Sequence, residues 1–146
     1  MNIRQAKIED TVTLIRLVKD LFKSEKNFDK DLKPSDNWLK AYVEHSIKNT
    51  LFLIAEENEQ LVGLLLSVAT KSPIYPFETA QIKYIYVEKT HQNLGIGTKL
   101  FKKCKNFYNK KGINKIFVSH YSENEQAKAF YKKLGFKEYT TTYFIS

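Results

Sequence analysis

The segment "AQIKYIYVEKTHQNLGIGTKLFKKC", Ala80 to Cys104, restricts the fold more than any other part of the chain. Its opening, "AQIKYIYV", is rich in β-branched and aromatic residues and reads as a strand. Its end reads as a helix, because Ile96, Leu100, Cys104, Phe107 and Tyr108 recur at spacings of four and three and draw one buried face. Between the two stand Gly95 and Gly97, two of only five glycines in the chain. A strand that turns into a helix at glycines leaves backbone N–H groups unpaired and lets the main chain come close to a ligand. Successive amides at a helix N-terminus converge on anionic oxygens, so something negative is expected there.

The familiar nucleotide motifs do not account for this turn. No Gly-Lys-Ser/Thr follows at P-loop spacing, and the third glycine of the dinucleotide fingerprint is missing. Charge gives the next constraint. The formal net charge is +8, and from Gln81 to Val118 the single acid Glu88 faces Lys83, Lys89, Lys99, Lys102, Lys103, Lys105, Lys110, Lys111 and Lys115. Such a run is either a solvated lysine face or the surroundings of a phosphate-bearing ligand beside the glycine turn. As a nucleic-acid surface it is poorly equipped, since the helix has no arginine and no recognised nucleic-acid motif is present.

Elsewhere the chain alternates strand and helix signals. "IRQA" reads as a first strand, with Asp10 as N-cap of a helix whose apolar residues are Val12, Ile15, Val18 and Phe22. A second helix, capped by Ser35, carries Trp38, Tyr42 and Ile47 along one side. "LFLIAEE" and "LVGLLLSVAT" form an antiparallel hairpin, and the loop "KSPIYPF" leads into the strand that ends at Val87. After the helix opened by Gly95 come the strand "NKIFVSHY" and a helix in "SENEQAKAFYKKLGF", with a Ser122–Glu125 capping box and Gly135 as terminator. The tail "EYTTTYFIS" is β-rich and is expected to close the sheet. The resulting class is α/β with a mixed sheet, antiparallel at its start and parallel where strand-helix-strand units occur.

With 146 residues, the expectation is one domain, residues 1–146, burying roughly 70% of its unfolded surface. The longest apolar run, Leu61 to Ala69, is about half of the ~20 residues a membrane helix needs, and "MNIRQAKIED" has no signal core, so a cytoplasmic protein without membrane attachment is expected. The single cysteine, Cys104, cannot form an internal disulfide and belongs to the apolar helix face. Three histidines and one cysteine offer no metal-ligand spacing. Ser119 and His120 are no catalytic pair, because neighbours on a strand point to opposite faces.

Two stretches then combine. "IYVEKTHQNLGIG" fits a strand followed by Gln/Arg-x-x-Gly-x-Gly/Ala, and "NEQAKAFYKKLGF" fits Asn-x-x-Ala-x-x-Phe-Tyr-x-x-x-Gly-Phe. In this the sequence resembles the GNAT family of N-acetyltransferases, with weaker agreement in "IRQAKIED" and a matching order of elements over essentially the whole chain. The resemblance implies a mostly antiparallel central sheet with one parallel, splayed strand pair, flanked by about four helices. It implies acetyl-coenzyme A as co-substrate, without a metal, and a primary amine as acceptor. The pyrophosphate would be held by main-chain amides of Gln92, Asn93, Leu94, Gly95, Ile96, Gly97 and Thr98. The pantetheine arm would pair with the main chain of Ile85, Tyr86 and Val87, in a wedge opened by a bulge in that strand. Asn124 would hydrogen-bond the arm, Ala127 and Phe130 would pack beside it, and Lys99, Lys102 or Lys103 would meet the 3′-phosphate.

Direct transfer to an amine requires the neutral nucleophile; for a pKa of ~10.4, deprotonation at pH 7 costs about 4.6 kcal/mol. Protonating the leaving thiolate is a smaller demand, about 2 kcal/mol for a pKa of ~8.5. Tyr131, which matches the family's tyrosine, is the candidate acid; periodicity alone would assign it to the core with Ala127, Phe130 and Leu134. The base is open, because the positions where several members carry a glutamate are here Gln81 and Lys83. Glu78, His120, Glu123 and a water relay are the alternatives. Asp29, Asp31, Asp36 and Glu78 flank the expected acceptor end, and Trp38, Tyr75 and Phe77 are candidates for its wall, with a core role for Trp38 as the other reading. The missing carboxylate also admits a non-catalytic module that binds acetyl-coenzyme A as a sensor or scaffold. Monomer and homodimer are both open.

Overall fold

Asn58 and Glu59 both take positive φ, 50° and 64°, the backbone of a two-residue hairpin turn whose twist matches paired strands. They join β2 (Leu51–Glu57) to β3 (Gln60–Thr70). In the computed structural model, which describes residues 1–146, these strands are the centre of a five-stranded sheet of order β1-β2-β3-β4-β5. The outer strands are β1 (Asn2–Gln5), β4 (Thr79–Val87) and β5 (Ile116–Val118). All neighbours are antiparallel except β4 and β5, which run parallel.

The long apolar runs of β2 and β3 have both faces covered, which is why they do not alternate with polar residues. Leu51, Leu53 and Ala55 point to α3 (Ile96–Lys110) and share its core with Leu100, Cys104 and Tyr108. Phe52 and Ile54 point the other way, to Leu14, Leu17 and Phe22 of α1 (Thr11–Glu25) and to Leu39 and Val43 of α2 (Asp36–Asn49). The fourth helix, α4 (Glu125–Lys133), is short and lies beside the first turn of α3, where Phe130 faces Gly97. No helix is long and apolar enough to cross a membrane.

One irregularity decides the shape of β4. Leu66 pairs with Tyr84 and the next residue, Ser67, pairs with Ile82, so Lys83 is an extra residue without a partner. The bulge shifts the alternation of side chains by one. Before it, Ala80 and Ile82 face α3; after it, Ile85 and Val87 do, while Tyr84 and Tyr86 join the α1–α2 side. Pairing with β5 stops at the same point, because Ile82↔Val118 is the last register pair and β4 runs on alone to Val87.

Several helix ends follow the sequence. Ser35 caps α2 by accepting from the Trp38 N–H at 3.1 Å. Both α3 and α4 end on glycines at positive φ, Gly112 at 78° and Gly135 at 99°, each with the paired Schellman bonds, such as Phe136 N–H to Tyr131 O at 3.0 Å. Three expectations about the helices are corrected. Val12 is 82% exposed, because the buried stripe of α1 starts at Leu14 and continues through Leu17, Val18, Leu21 and Phe22. Asp10 does not cap α1 with its side chain; its carboxylate accepts from Lys7 N–H at 2.7 Å and is gripped by both terminal nitrogens of Arg4. Arg4 also pairs with Glu56, tying β1 to β2. The cap of α4 is Asn124, whose Oδ1 accepts from Ala127 N–H at 3.0 Å, and no Ser122–Glu125 box forms.

The tail forms no strand. Its link to the sheet is made by side chains, with the Tyr139 ring 5.5 Å from that of Phe117 and the Tyr139 hydroxyl 3.2 Å from that of Tyr75. Thr140 to Thr142 have β propensity but bring no apolar face to bury, and propensity without a packed face does not make a strand.

The bulge is braced from behind. Ser67, opposite the irregularity, is fully buried and bonds the Tyr108 hydroxyl of α3 at 2.7 Å. Ser67→Ala strands that hydroxyl in the core and is expected to cost about 1–3 kcal/mol, seen as a fall in Tm by scanning calorimetry. Tyr108→Phe is expected to cost less, because the Ser67 hydroxyl keeps the Cys104 thiol, 3.7 Å away.

Candidate active site

The glycine turn opens α3 as the sequence requires. Gly95 is the residue before the helix at φ 80°, preceded by Asn93 at φ 64°. A side chain at Gly95 would meet nothing within 4 Å, so its glycine serves the left-handed backbone and not space. Gly97 differs: a Cβ there would stand 3.0 Å from Cζ of Phe130. Gly97 therefore lets α4 approach α3, and brings the two sequence motifs together in space.

From Gln92 to Thr98 no N–H finds an acceptor; the first bonded amide of the helix is Lys99, to Gly95 O at 3.1 Å. Seven successive donors with the positive end of a helix dipole behind them form an anion cradle. Its neck is fixed by side chains. Gln92 donates from Nε2 to Val87 O at 2.9 Å, Glu88 receives Arg16 of α1 at 3.6 Å, and His91 lies 3.1 Å from Glu88. The Gln92 side chain thus shapes the loop, and His91 is part of its brace. Of the three lysines considered for a phosphate, Lys103 is engaged with Ile3 O at 3.2 Å, while Lys99 and Lys102 are exposed on the helix.

The cradle continues into the gap between β4 and β5. Ile85, Tyr86 and Val87 lie past the last β4–β5 pair, so on that side their edge has no strand partner. Across the gap stands α4, with Asn124, Ala127 and Phe130 all partly buried. Asn124 spends Oδ1 on its helix and keeps its amide N–H groups free of protein partners.

Tyr131 completes this wall. Its ring lies 6.1 Å from His120, 5.4 Å from Phe130 and 5.7 Å from Phe136. Burial, with the Glu25 carboxylate acting in the same direction, pushes its phenol up to about 12, so it holds its proton throughout the neutral range.

The proposed bases separate. Glu78 stands before β4, at the end remote from the glycine turn, and pairs with Lys71 at 3.8 Å. His120 abuts Tyr131 and has its Nδ1 2.7 Å from Tyr121 O. Glu123 is exposed in the turn before α4. Gln81 and Lys83 supply no carboxylate, and Lys83 is the exposed bulge residue. Asp36 is paired with Lys19 at 2.8 Å. The three candidate wall aromatics split as well. Trp38 stacks on Tyr42 at 4.6 Å beside Phe22, whereas Tyr75 and Phe77 stack on each other at 5.5 Å, with Lys115 over Tyr75.

Sequence reasoning missed Glu25, Tyr84 and Tyr121. The signal for Glu25 was present: it follows Phe22 by three residues, so a carboxylate continues the buried stripe of α1. Tyr84 was hidden by the bulge, which moves it off the face that an unbroken period of two assigns to it.

The chain belongs to the acetyltransferase (GNAT) family, whose model matches residues 15–136. It is 32% identical over 120 residues to the uncharacterized N-acetyltransferase MJ1207 of Methanocaldococcus jannaschii, covering 80% of this chain and 53% of that protein. Human N-acetyltransferase 8 is 24% identical over 105 residues, 72% of this chain and 45% of that protein. The chain thus spans about half the length of these curated relatives. Among solved structures, a tetramutant of the BH1408 protein from Bacillus halodurans superposes with a TM-score of 0.88 at 21% identity, covering 100% of this chain and 99% of that one. A predicted acetyltransferase from Clostridium acetobutylicum, solved with acetyl-CoA, superposes with a TM-score of 0.80 at 22% identity, covering 99% and 95%. The mixed sheet with one parallel pair and four helices is the fold these structures share.

The two glycines are expected to fail differently. Gly95→Ala introduces only left-handed strain, about 1–2 kcal/mol, and leaves α4 in place. Gly97→Val drives a branched side chain into Phe130 and is expected to displace α4. Scanning calorimetry, together with backbone NMR shifts of residues 124–133, separates the two; unchanged α4 shifts in Gly97→Val would refute the contact.

Proposed function

We propose that residues 1–146 act as a single N-acetyltransferase domain that moves the acetyl group of acetyl-CoA to a primary amine. The observation that carries the reading is the continuity of seven acceptor-less amides, Gln92 to Thr98, with the β4 edge at Ile85 to Val87, which has no strand partner there and whose Val87 carbonyl is held by Gln92. A pyrophosphate has the charge and size for the first. An arm bearing amide groups has the hydrogen bonds for the second, by the same chemistry as strand addition. The Clostridium acetobutylicum structure, which holds acetyl-CoA in this fold, supports the choice of ligand.

In this reading Asn124 turns its free amide N–H groups to the arm, and Ala127 and Phe130 form the apolar side of the slot. Acetyl-CoA supplies the activated carbonyl. Tyr131 holds a proton for the leaving sulfur, and its raised pKa keeps that proton in place at every physiological pH. Exposed Lys99 and Lys102 remain for the 3′-phosphate.

Thermal shift tests the coenzyme site. Acetyl-CoA and coenzyme A are both expected to raise Tm, by an amount equivalent to about 2.7 kcal/mol at a hundred times Kd, whereas ATP is not. Leu94→Glu places a carboxylate in the cradle at a residue already 64% exposed, so it is expected to remove the coenzyme effect without lowering the unliganded Tm. No shift with either coenzyme at millimolar concentration would sink the reading.

Tyr131→Phe is expected to lower kcat on the order of 10²-fold while the KM for acetyl-CoA changes little; an unchanged kcat removes Tyr131 from the chemistry. An acid is active below its pKa, so with a phenol at about 12 no loss of rate assignable to Tyr131 is expected below pH ~10, as a pH profile of kcat with and without the substitution will read.

A further inference from the structure

At the end of the wedge away from the glycine turn, three phenols from three elements lie within the reach of the Glu25 charge, and Asp29 stands beside Glu25 and Tyr121. Tyr84 comes from β4 just past the bulge, Tyr121 from the turn after β5, and Tyr131 from α4. Burial raises the pKa of all three, and the charge of Glu25 adds to the rise in each. The position of Glu25 follows from packing. Phe22, one turn earlier on α1, has its ring 5.5 Å from Tyr84, and Phe28, three residues later, stacks on Tyr121 at 5.8 Å. The last residue of α1 is thereby held against β4 and against the turn that leads to α4.

Every structural consideration disfavours a charge at this point. Glu25 is partly buried, and burial followed by the like charge of Asp29 pushes its carboxyl up. It stands at the C-terminal end of α1, where the helix dipole opposes an anion. No ion pair and no side-chain hydrogen bond engages it, although the chain carries 24 lysines and arginines. Lys23 and Lys26, its near neighbours in sequence, are exposed. A half-buried carboxylate with no cation of its own is costly to the fold, yet it lies beside the proposed acid of an amine-modifying reaction. Aromatic rings continue the surroundings outward: Tyr42 is 6.5 Å from Tyr84, and Trp38 stacks on Tyr42. Ring faces and one carboxylate together attract an organic ammonium.

We propose that Glu25 is the anionic contact of the acceptor site, receiving the ammonium group of a primary amine whose apolar or aromatic arm lies along Tyr84, Tyr42 and Trp38. The assignment rests on the acetyltransferase reading for its role, but its binding chemistry is testable without acetyl-CoA. It also locates at α1 the carboxylate that β4 lacks at Gln81 and Lys83.

The probe is phenethylamine, cationic at pH 7, against phenethyl alcohol, its neutral counterpart. Binding is read from ligand NMR line widths and from the emission of Trp38, the single tryptophan. Wild type is expected to bind the amine in preference to the alcohol, and Glu25→Gln to weaken the amine about tenfold or more. The Glu25→Gln variant is expected to keep its Tm and its stabilisation by acetyl-CoA, because it removes an unpaired charge outside the cradle. Equal binding of amine and alcohol, an undiminished affinity in Glu25→Gln, no binding of the amine at tens of millimolar, or a lowered Tm would each overturn the assignment. Amine binding through Glu25 in a protein that acetyl-CoA does not stabilise would instead overturn the acetyltransferase reading and leave the ammonium site standing.

Discussion

A single extra residue in β4, Lys83, is the constraint on which the rest of the arrangement depends. Were Lys83 instead paired in a regular ladder, β4 would keep one parity from Thr79 to Val87, and Tyr84 and Tyr86 would face α3 with Ile82. Their hydroxyls would then enter an aliphatic core with few polar partners, at a cost of about 1–3 kcal/mol each if unpaired. With it, the aromatic residues turn to α1 and α2, Ile85 and Val87 replace them over α3, and the strand bends away from β5. A bulge leaves local hydrogen bonds unmade and survives only where its surroundings fix it. Here the Ser67–Tyr108 bond supplies that support from the α3 side, and the Phe22–Tyr84 contact from the α1 side.

The two ends of the resulting wedge differ in sign. At the α3 end, seven amide dipoles, a helix N-terminus and a lysine-rich face converge, and Glu88, the one acid there, is already paired with Arg16 and His91. At the α1 end stands Glu25 among phenols, with no lysine or arginine against it. A polyanionic donor and a cationic acceptor meeting tail to head fit such a field, and each is repelled from the place of the other. The net charge of +8 conceals this division, because α3 carries five lysines and no acid, whereas residues 19–36 carry five lysines and five acids.

Features read from the sequence succeeded where they rest on local chemistry. The Ser35 cap, the Gly135 helix end, the antiparallel β2–β3 hairpin and the strand–glycine–helix turn each need only a few adjacent residues, and all form as expected. The family motifs carried the splayed strand pair, which no local rule would supply. Errors arose where tertiary context decides. Val12 fits the spacing of its helix but lies outside the stripe that the sheet covers, and Ser122 fits a capping box but yields to Asn124, two residues closer to the turn that packs against α3. The tail has strand propensity without a face to bury. Glu25 was passed over for the opposite reason: its place three residues after Phe22 continues the buried stripe of α1, but an acid in a lysine-rich helix end reads as solvated, and the contacts of Phe22 with Tyr84 and of Phe28 with Tyr121 that hold this helix end are tertiary.

In the proposed roles of Tyr131 and Glu25, one physical effect serves two chemical tasks. Burial favours the neutral form of both, so each binds its proton more tightly than in water. For a phenol proposed as the acid, this keeps the proton in place while the sulfur still carries its acetyl group. For a carboxylate it is the behaviour of an anion left short of partners, and therefore receptive to an incoming cation. Their mutual influence sharpens both roles, since a negative charge on either one disfavours ionisation of the other. Seating an ammonium beside Glu25 reverses the local field and eases loss of the phenolic proton at the moment the acceptor is in place. In the proposed reading the site is a better acid with the amine bound than without it, a coupling that follows from the electrostatics of two groups on two helices.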